Sequence, residues 1–111
     1  MAAPDRGDLV WLDFSPHAGR EQADRRPAVV LSPRRYHQLT PYVVVCPITS
    51  RIKGYPFEVV LPPGLAVGGA VLADQIKSLD RHARRIERAG SAPAEVMTEI
   101  HERLRLLLSL T

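Results

Sequence analysis

Cysteine is nearly absent from this sequence. Cys46 alone cannot close an intramolecular disulfide or complete a zinc-finger ligand set, which excludes disulfide scaffolds and structural-zinc modules together. A lone thiol suits a reducing cytoplasm, where the chain is expected to act. The histidines, His17, His37, His82 and His101, stand apart from one another and from clustered carboxylates, so no metal-ligand spacing arises. Neither a metal nor another cofactor is expected. Long apolar runs are also missing. Tyr42 to Ile48 and Leu65 to Ala73 are the longest, far below the roughly 20 residues of a spanning helix, and residues 1–15 lack a signal-peptide layout. No membrane passage is expected. Lysine is scarce: two lysines and thirteen arginines face twelve carboxylates, for a net charge of +3. That mild excess favours a polyanionic partner without specifying one.

What is present fits one domain over residues 1–111, with 45% hydrophobic and 24% charged residues. Folding at this size hides only about two-thirds of the surface of the unfolded chain, so a second subunit would add stability. No internal repeat or dividing linker occurs, and the prolines separate apolar runs. Leu9 to Phe14 reads as a strand, and Ser15 to Asp24 as a long polar loop. Pro27 to Ser32, Tyr42 to Ile48 and Phe57 to Leu61 read as buried strands. Ala70 to Leu79 is longer, with Val71, Ala73 and Gln75 expected on one face and Leu72, Asp74 and Ile76 on the other; it has the length to bend or change sheets midway.

The tail changes period. Val96, Ile100, Leu104, Leu107 and Leu108 recur at helical spacing, and Ser91 with Pro93 supplies a start signal, which predicts a helix from about Pro93 to Leu110. Such a helix, about 27 Å long, would lay one apolar face on the strands and leave Leu106 off that face for a partner. Strands followed by one helix, without alternation, argue for a small, curved antiparallel sheet or open barrel.

Two stretches carry candidate chemistry. Gly19 to Ser32 runs a charged loop into a buried strand, and Pro27 holds Arg26 extended at the junction. A solvated loop charge and an anion-binding residue both fit that position. Pro47 to Val59 places hydroxyls and cations after a buried strand, where Thr49 and Ser50 fit a turn cap on spacing alone.

Read in order, six segments resemble the MazF (PemK/Kid) family of toxins. They are Gly7 to Phe14, Gly19 to Gln22, Arg26 to Ser32, Pro47 to Ser50, Lys53 to Phe57 and Ala73 to Ser78. The likeness covers almost the whole chain and includes the Glu-Gln, Arg-Pro and Asp-Gln pairs that no generic barrel requires. It implies a mainly β fold with a C-terminal helix, an SH3-like antiparallel barrel assembled as a homodimer. It further implies a metal-independent, sequence-specific endoribonuclease that cuts single-stranded RNA and is restrained by a MazE-like antitoxin. By resemblance, Arg26 and Thr49 are the catalytic pair, and the products are a 2′,3′-cyclic phosphate and a 5′-hydroxyl.

Fixed cationic and hydroxyl donors would stabilise the charge of the phosphorane formed when a ribose 2′-hydroxyl attacks its own phosphate. An arginine with a pKa above about 12 is a poor base at neutral pH, so Arg26 reads as stabiliser or acid. Glu21, which matches a glutamate important in the family, reads as the base or the residue that positions it. Asp74 and Gln75 match the family's Asp-Gln pair and are candidates to read base edges, with Asp74 expected to need a partner such as Arg26. Ser50, Arg51 and Lys53 are placed to meet the RNA backbone. Trp11 reads as core or dimer packing, and Phe14 as the better base-stacking candidate. Arg81, His82, Arg84, Arg85 and Arg88 form a basic cluster before the helix that reads mainly as a solvated face. Two other classes share the fold or the charge: CcdB-like inhibitors of DNA gyrase, and barrels that bind nucleic acid without cutting it.

Overall fold

The computed structural model describes residues 3–15 and 24–110. Seven strands appear in chain order with two helices: β1 (Asp8–Asp13), β2 (Arg25–Val30), α1 (Arg34–Leu39), β3 (Tyr42–Thr49), β4 (Glu58–Val60), β5 (Ala70–Leu72), β6 (Lys77–Asp80), β7 (Ile86–Ser91) and α2 (Ala94–Leu107). All pairings are antiparallel, in the order β4-β5-β3-β2-β1-β7, with β6 beside β3. The terminal strands β4 and β7 do not meet, so the expected barrel is an open, curved sheet with the C-terminal helix against it.

The central strands are apolar without interruption because both of their faces are covered. On one face, Leu9, Val29, Leu31, Cys46 and Ile48 pack with Val96 and Ile100 of α2. On the other, Val10, Leu12, Ala28, Val30, Val43 and Val45 form a second cluster, flanked by Phe14, Leu79 and Ile86. The α2 stripe is shorter than the spacing predicts: Val96 and Ile100 are buried and Leu104 half-buried, whereas Leu107 and Leu108 are exposed with Leu106 and Leu110. Its N-cap is Pro93, which has no side-chain acceptor to cap with, and the Ser91 hydroxyl accepts a 2.6 Å hydrogen bond from Arg88.

The Ala70 to Leu79 run does change partners midway, since β5 pairs with Ile48 and Thr49 and β6 with Tyr42 to Val45. Its alternation does not persist. A 3₁₀ turn over Ala73–Gln75 intervenes, leaving Asp74 and Gln75 both exposed, so Asp74 has solvent around it and no need of an ion-pair partner. Two elements had no sequence signal, α1 and β7. The latter runs through the basic cluster, placing Arg88 in a strand paired with β1.

Candidate active site

Strand β1, the start of β2, the end of β3 and the 3₁₀ turn converge on a groove of about 570 Å³. Arg26, Thr49, Ser50, Arg51 and Gln75 all line it, although they come from three separate stretches of sequence. Trp11 lines it as well and is 39% exposed, so it is a wall of the groove rather than a core residue. The register explains its position: Trp11 faces Pro27 across the β1–β2 pair, and the ring lies one residue along from Arg26.

Arg26 lines the groove as the second residue of strand β2. Pro27 fixes the backbone beside it, and the Arg26 Nε donates to Asp24 Oδ1 at 2.7 Å. Its side chain is 58% exposed, and the paired Nε leaves the outer nitrogens for a ligand. The Asp24 carboxyl is held below the ordinary 3.8, first by a hydrogen bond from the Ser15 side chain and then by the Arg26 guanidinium. The Phe14 amide donates to the Asp24 carbonyl at 3.0 Å and closes the stem of the polar loop. Arg26 is therefore tied to a stem aspartate, Asp24, and not to Asp74.

Thr49 ends β3, and its Oγ1 accepts from the Arg51 amide at 3.1 Å. The turn-cap reading is thus correct. With the amide supplied as donor, the hydroxyl proton is free to point at a ligand oxygen. The Thr49 carbonyl is approached so closely by Gly69 that a Cβ there would lie 2.1 Å from the oxygen, and Gly69 has φ +118°. Only glycine combines that backbone angle with that approach. Gly69 was not singled out from sequence, although Gly68-Gly69 ahead of a strand carried the signal.

The remaining candidates are dispersed. Lys53 lies outside the groove lining: its amide, with that of Gly54, donates to the Glu58 carboxylate at 2.8 to 3.2 Å, and its Nζ sits 5.8 Å from the centre of the Tyr55 ring. Glu58, buried and unremarked in the sequence, thereby shapes the loop after β3. Phe14 packs against the cluster on the other face of the sheet, with Lys77 Nζ 5.6 Å from its ring centre. Asp74 adjoins the groove and raises the Cys46 thiol only as the lesser cause, after burial, which pushes it up to about 12. Glu21 lies outside the described residues.

With this geometry established, comparison with known proteins becomes informative. A family model described as "PemK-like, MazF-like toxin of type II toxin-antitoxin system" matches residues 5–108. The chain is 46% identical over 105 residues to the endoribonuclease toxin MazF of Escherichia coli strain K12, covering 95% of this chain and 94% of that protein. It is 37% identical over 110 residues to the endoribonuclease toxin ChpB of the same organism, covering 94% and 93%. Among solved structures, MazF from Deinococcus radiodurans superposes with a TM-score of 0.87 at 54% identity, covering 96% of this chain and 97% of that one. A MazE-MazF complex from that organism gives 0.86 at 49% identity, covering 97% of both chains. The chain therefore belongs to the PemK-like, MazF-like toxins of type II toxin-antitoxin systems.

Proposed function

We propose that this toxin is an endoribonuclease, as its relatives are named, and that it cuts single-stranded RNA in the groove shared by Arg26 and Thr49. One observation carries the reading: Arg26 from the loop–strand junction and Thr49 from the end of β3 line the same groove. In the reaction, a ribose 2′-oxygen bonds to the adjacent phosphorus, and the bond from phosphorus to the 5′-oxygen breaks. The 2′-hydroxyl loses its proton to a base, and the departing 5′-oxygen gains one. This leaves a 2′,3′-cyclic phosphate and a 5′-hydroxyl, with no metal required.

Arg26 neutralises charge on the phosphorane oxygens, and Thr49 donates its free hydroxyl proton to one of them. Glu21 takes the role of base or base-positioning residue. Ser50 and Arg51 hold the backbone, Gln75 reads a base edge, and Asp74, Lys53 and Phe14 extend contact beyond the groove. A MazE-like antitoxin is the partner that restrains the enzyme, and a second copy of the chain covers the exposed leucines at the end of α2. The toxin works in the cytoplasm.

The test is incubation with a long unstructured RNA in EDTA, with cut sites and end groups mapped. Discrete cuts with cyclic-phosphate ends are expected, and Arg26→Ala or Thr49→Ala should lower the rate by about 10²–10³-fold. Glu21→Gln should flatten the pH dependence of the remaining cleavage. Intact RNA with the wild-type chain would move the function to gyrase inhibition or to binding without cutting.

A further inference from the structure

A second depression of about 540 Å³ is lined by Arg34, Arg81, Arg84 and Arg88, with Asp8, Val10 and Ile86 among the residues beneath them. It lies across the sheet from the groove. Val10 and Trp11 are successive residues of β1 and so face opposite ways; Val10 lines this pocket and Trp11 the groove. Arginines from α1, the 3₁₀ turn before β7, and β7 itself are gathered here by folding alone.

Their partners distinguish them from a solvated face. Arg81 Nη2 donates to the His37 carbonyl at 2.7 Å. Arg84 Nε donates to the Asp80 carbonyl at 2.8 Å, and its Nη1 to the Asp13 and Phe14 carbonyls at 2.8 and 3.0 Å. Arg34 Nε donates to the Ala3 carbonyl at 3.0 Å. A carbonyl fixes a guanidinium in place without cancelling its charge. Carboxylates offset only part of the total: Asp8 pairs with Arg88 at 3.2 Å, and Asp5 with Arg34 at 3.7 Å. Arg81 also keeps a buried Nε with no hydrogen-bond partner among the described residues. Among the described residues, four oriented arginines line the pocket with Asp8, and Asp5 pairs with Arg34 from outside that lining, an arrangement that suits a compact anion with several acceptor oxygens.

We propose that Arg34, Arg81, Arg84 and Arg88 form a phosphate-binding site, which gives the toxin a second hold on the backbone of an RNA strand. Phosphate fits better than a peptide carboxylate because guanidiniums converge from several directions, and phosphate offers oxygens to each. Among the described residues no aromatic side chain lines the pocket, and Val10 and Ile86 provide an apolar surface on which a sugar can rest, which favours contact to backbone over base. The strand as phosphate source rests on the ribonuclease reading; the anion site does not.

The test measures binding of a fluorescent, fully 2′-O-methylated 20-nucleotide RNA, which lacks the attacking hydroxyl, against salt concentration. Each phosphate contact on a single strand contributes about 0.7 to the logarithmic salt slope. The double variant Arg34→Gln with Arg81→Gln should remove this one phosphate contact, reduce the slope by about 0.7 and weaken binding on the order of fivefold at 0.1 M salt. Arg34→Lys with Arg81→Lys, which keeps the charges, should hold most of the slope. Inorganic phosphate at constant ionic strength should shift the guanidinium NMR signals of wild-type Arg81 and Arg84, a readout that needs no variant to fold. Those shifts with an unchanged slope would assign the site to free phosphate or a nucleotide instead of the strand. No phosphate shift together with an unchanged slope overturns the site. Wild-type binding with no cleavage of the same RNA carrying unmodified 2′-hydroxyls would sink the ribonuclease reading and leave the anion site standing.

Discussion

The two faces of β1 put the same residue type to different use. In the groove on the Trp11 side, Arg26 is held by a carboxylate, Asp24, and Thr49 stands within the same lining. In the pocket on the Val10 side, Arg81 and Arg84 are held by backbone carbonyls, while Arg34 and Arg88 at its sides pair with Asp5 and Asp8. A carboxylate partner aims a cation while moderating its field, which suits a residue that must stabilise charge only as it develops. Carbonyl partners leave the full charge standing, which suits steady retention of an anion. On the roles proposed above, the partner more than the arginine would separate the chemistry at Arg26 from the tethering at Arg81 and Arg84.

The largest expected break in this comparison is Gly69→Ala. The new methyl meets the Thr49 carbonyl at a backbone angle that alanine avoids, which should cost about 2 kcal/mol or more of stability and displace Thr49. Chemical denaturation checks the first effect, and cleavage by the surviving folded fraction the second; phosphate binding on the opposite face should persist in that fraction. Asp24→Asn comes next. It removes the carboxylate that aims Arg26 and should lower kcat about tenfold, with KM moving less and the salt slope unchanged. The sign of its pH effect follows from its depressed value in the folded chain. Asp24 keeps its charge to lower pH than an ordinary aspartate, so its contribution to stability is present above 3.8 and is lost as pH falls through its lower folded value. The stability difference between wild-type and Asp24→Asn proteins, read by chemical denaturation, should therefore be constant near neutral pH and shrink only in acid, as pH falls through that lower value. The smallest effect is a null one. The Cys46 thiol, buried and raised to about 12, should resist iodoacetamide at pH 8 in the folded protein, with neither face altered. Rapid alkylation under native conditions would show that the core between the two faces opens far more readily than the packing implies.

The sequence made the fold class legible because strands covered on both faces read as continuous apolar runs, as in Val43 to Ile48. It also foretold the partner change within Ala70 to Leu79. The 3₁₀ turn there escaped notice because Ala73, Asp74 and Gln75 alternate as a strand would, and only tertiary pairing reveals the break. β7 was hidden for a related reason: Ile86 to Ser91 is charged and half-exposed, a strand held by its pairing with β1 rather than by its own apolar pattern. Of the two readings of Trp11, burial in the core of this chain is set aside by its exposure onto the groove, and packing against a second copy stays a proposal. Of the site, Arg26 and Thr49 were found through family motifs. Asp24 and Gly69 were not, because an aiming carboxylate and a glycine beneath a carbonyl are evident only once the chain is folded.

β3 divides one of its edges between two partners, β6 along Tyr42 to Val45 and β5 at Ile48 and Thr49. In terms of local unfolding, this makes two cooperative units along one strand. The β4–β5 hairpin can peel from the end that carries Thr49, taking Val59 and Val71 out of the cluster beneath α2, while β6 stays zipped and the cluster of Val10, Leu12, Val43 and Val45 stays closed. Amide hydrogen exchange should then find Val59 and Val71 opening together at lower free energy than Val43 and Val45. The floor of the groove would breathe as a hinged flap while the arginine pocket across the sheet stays shut.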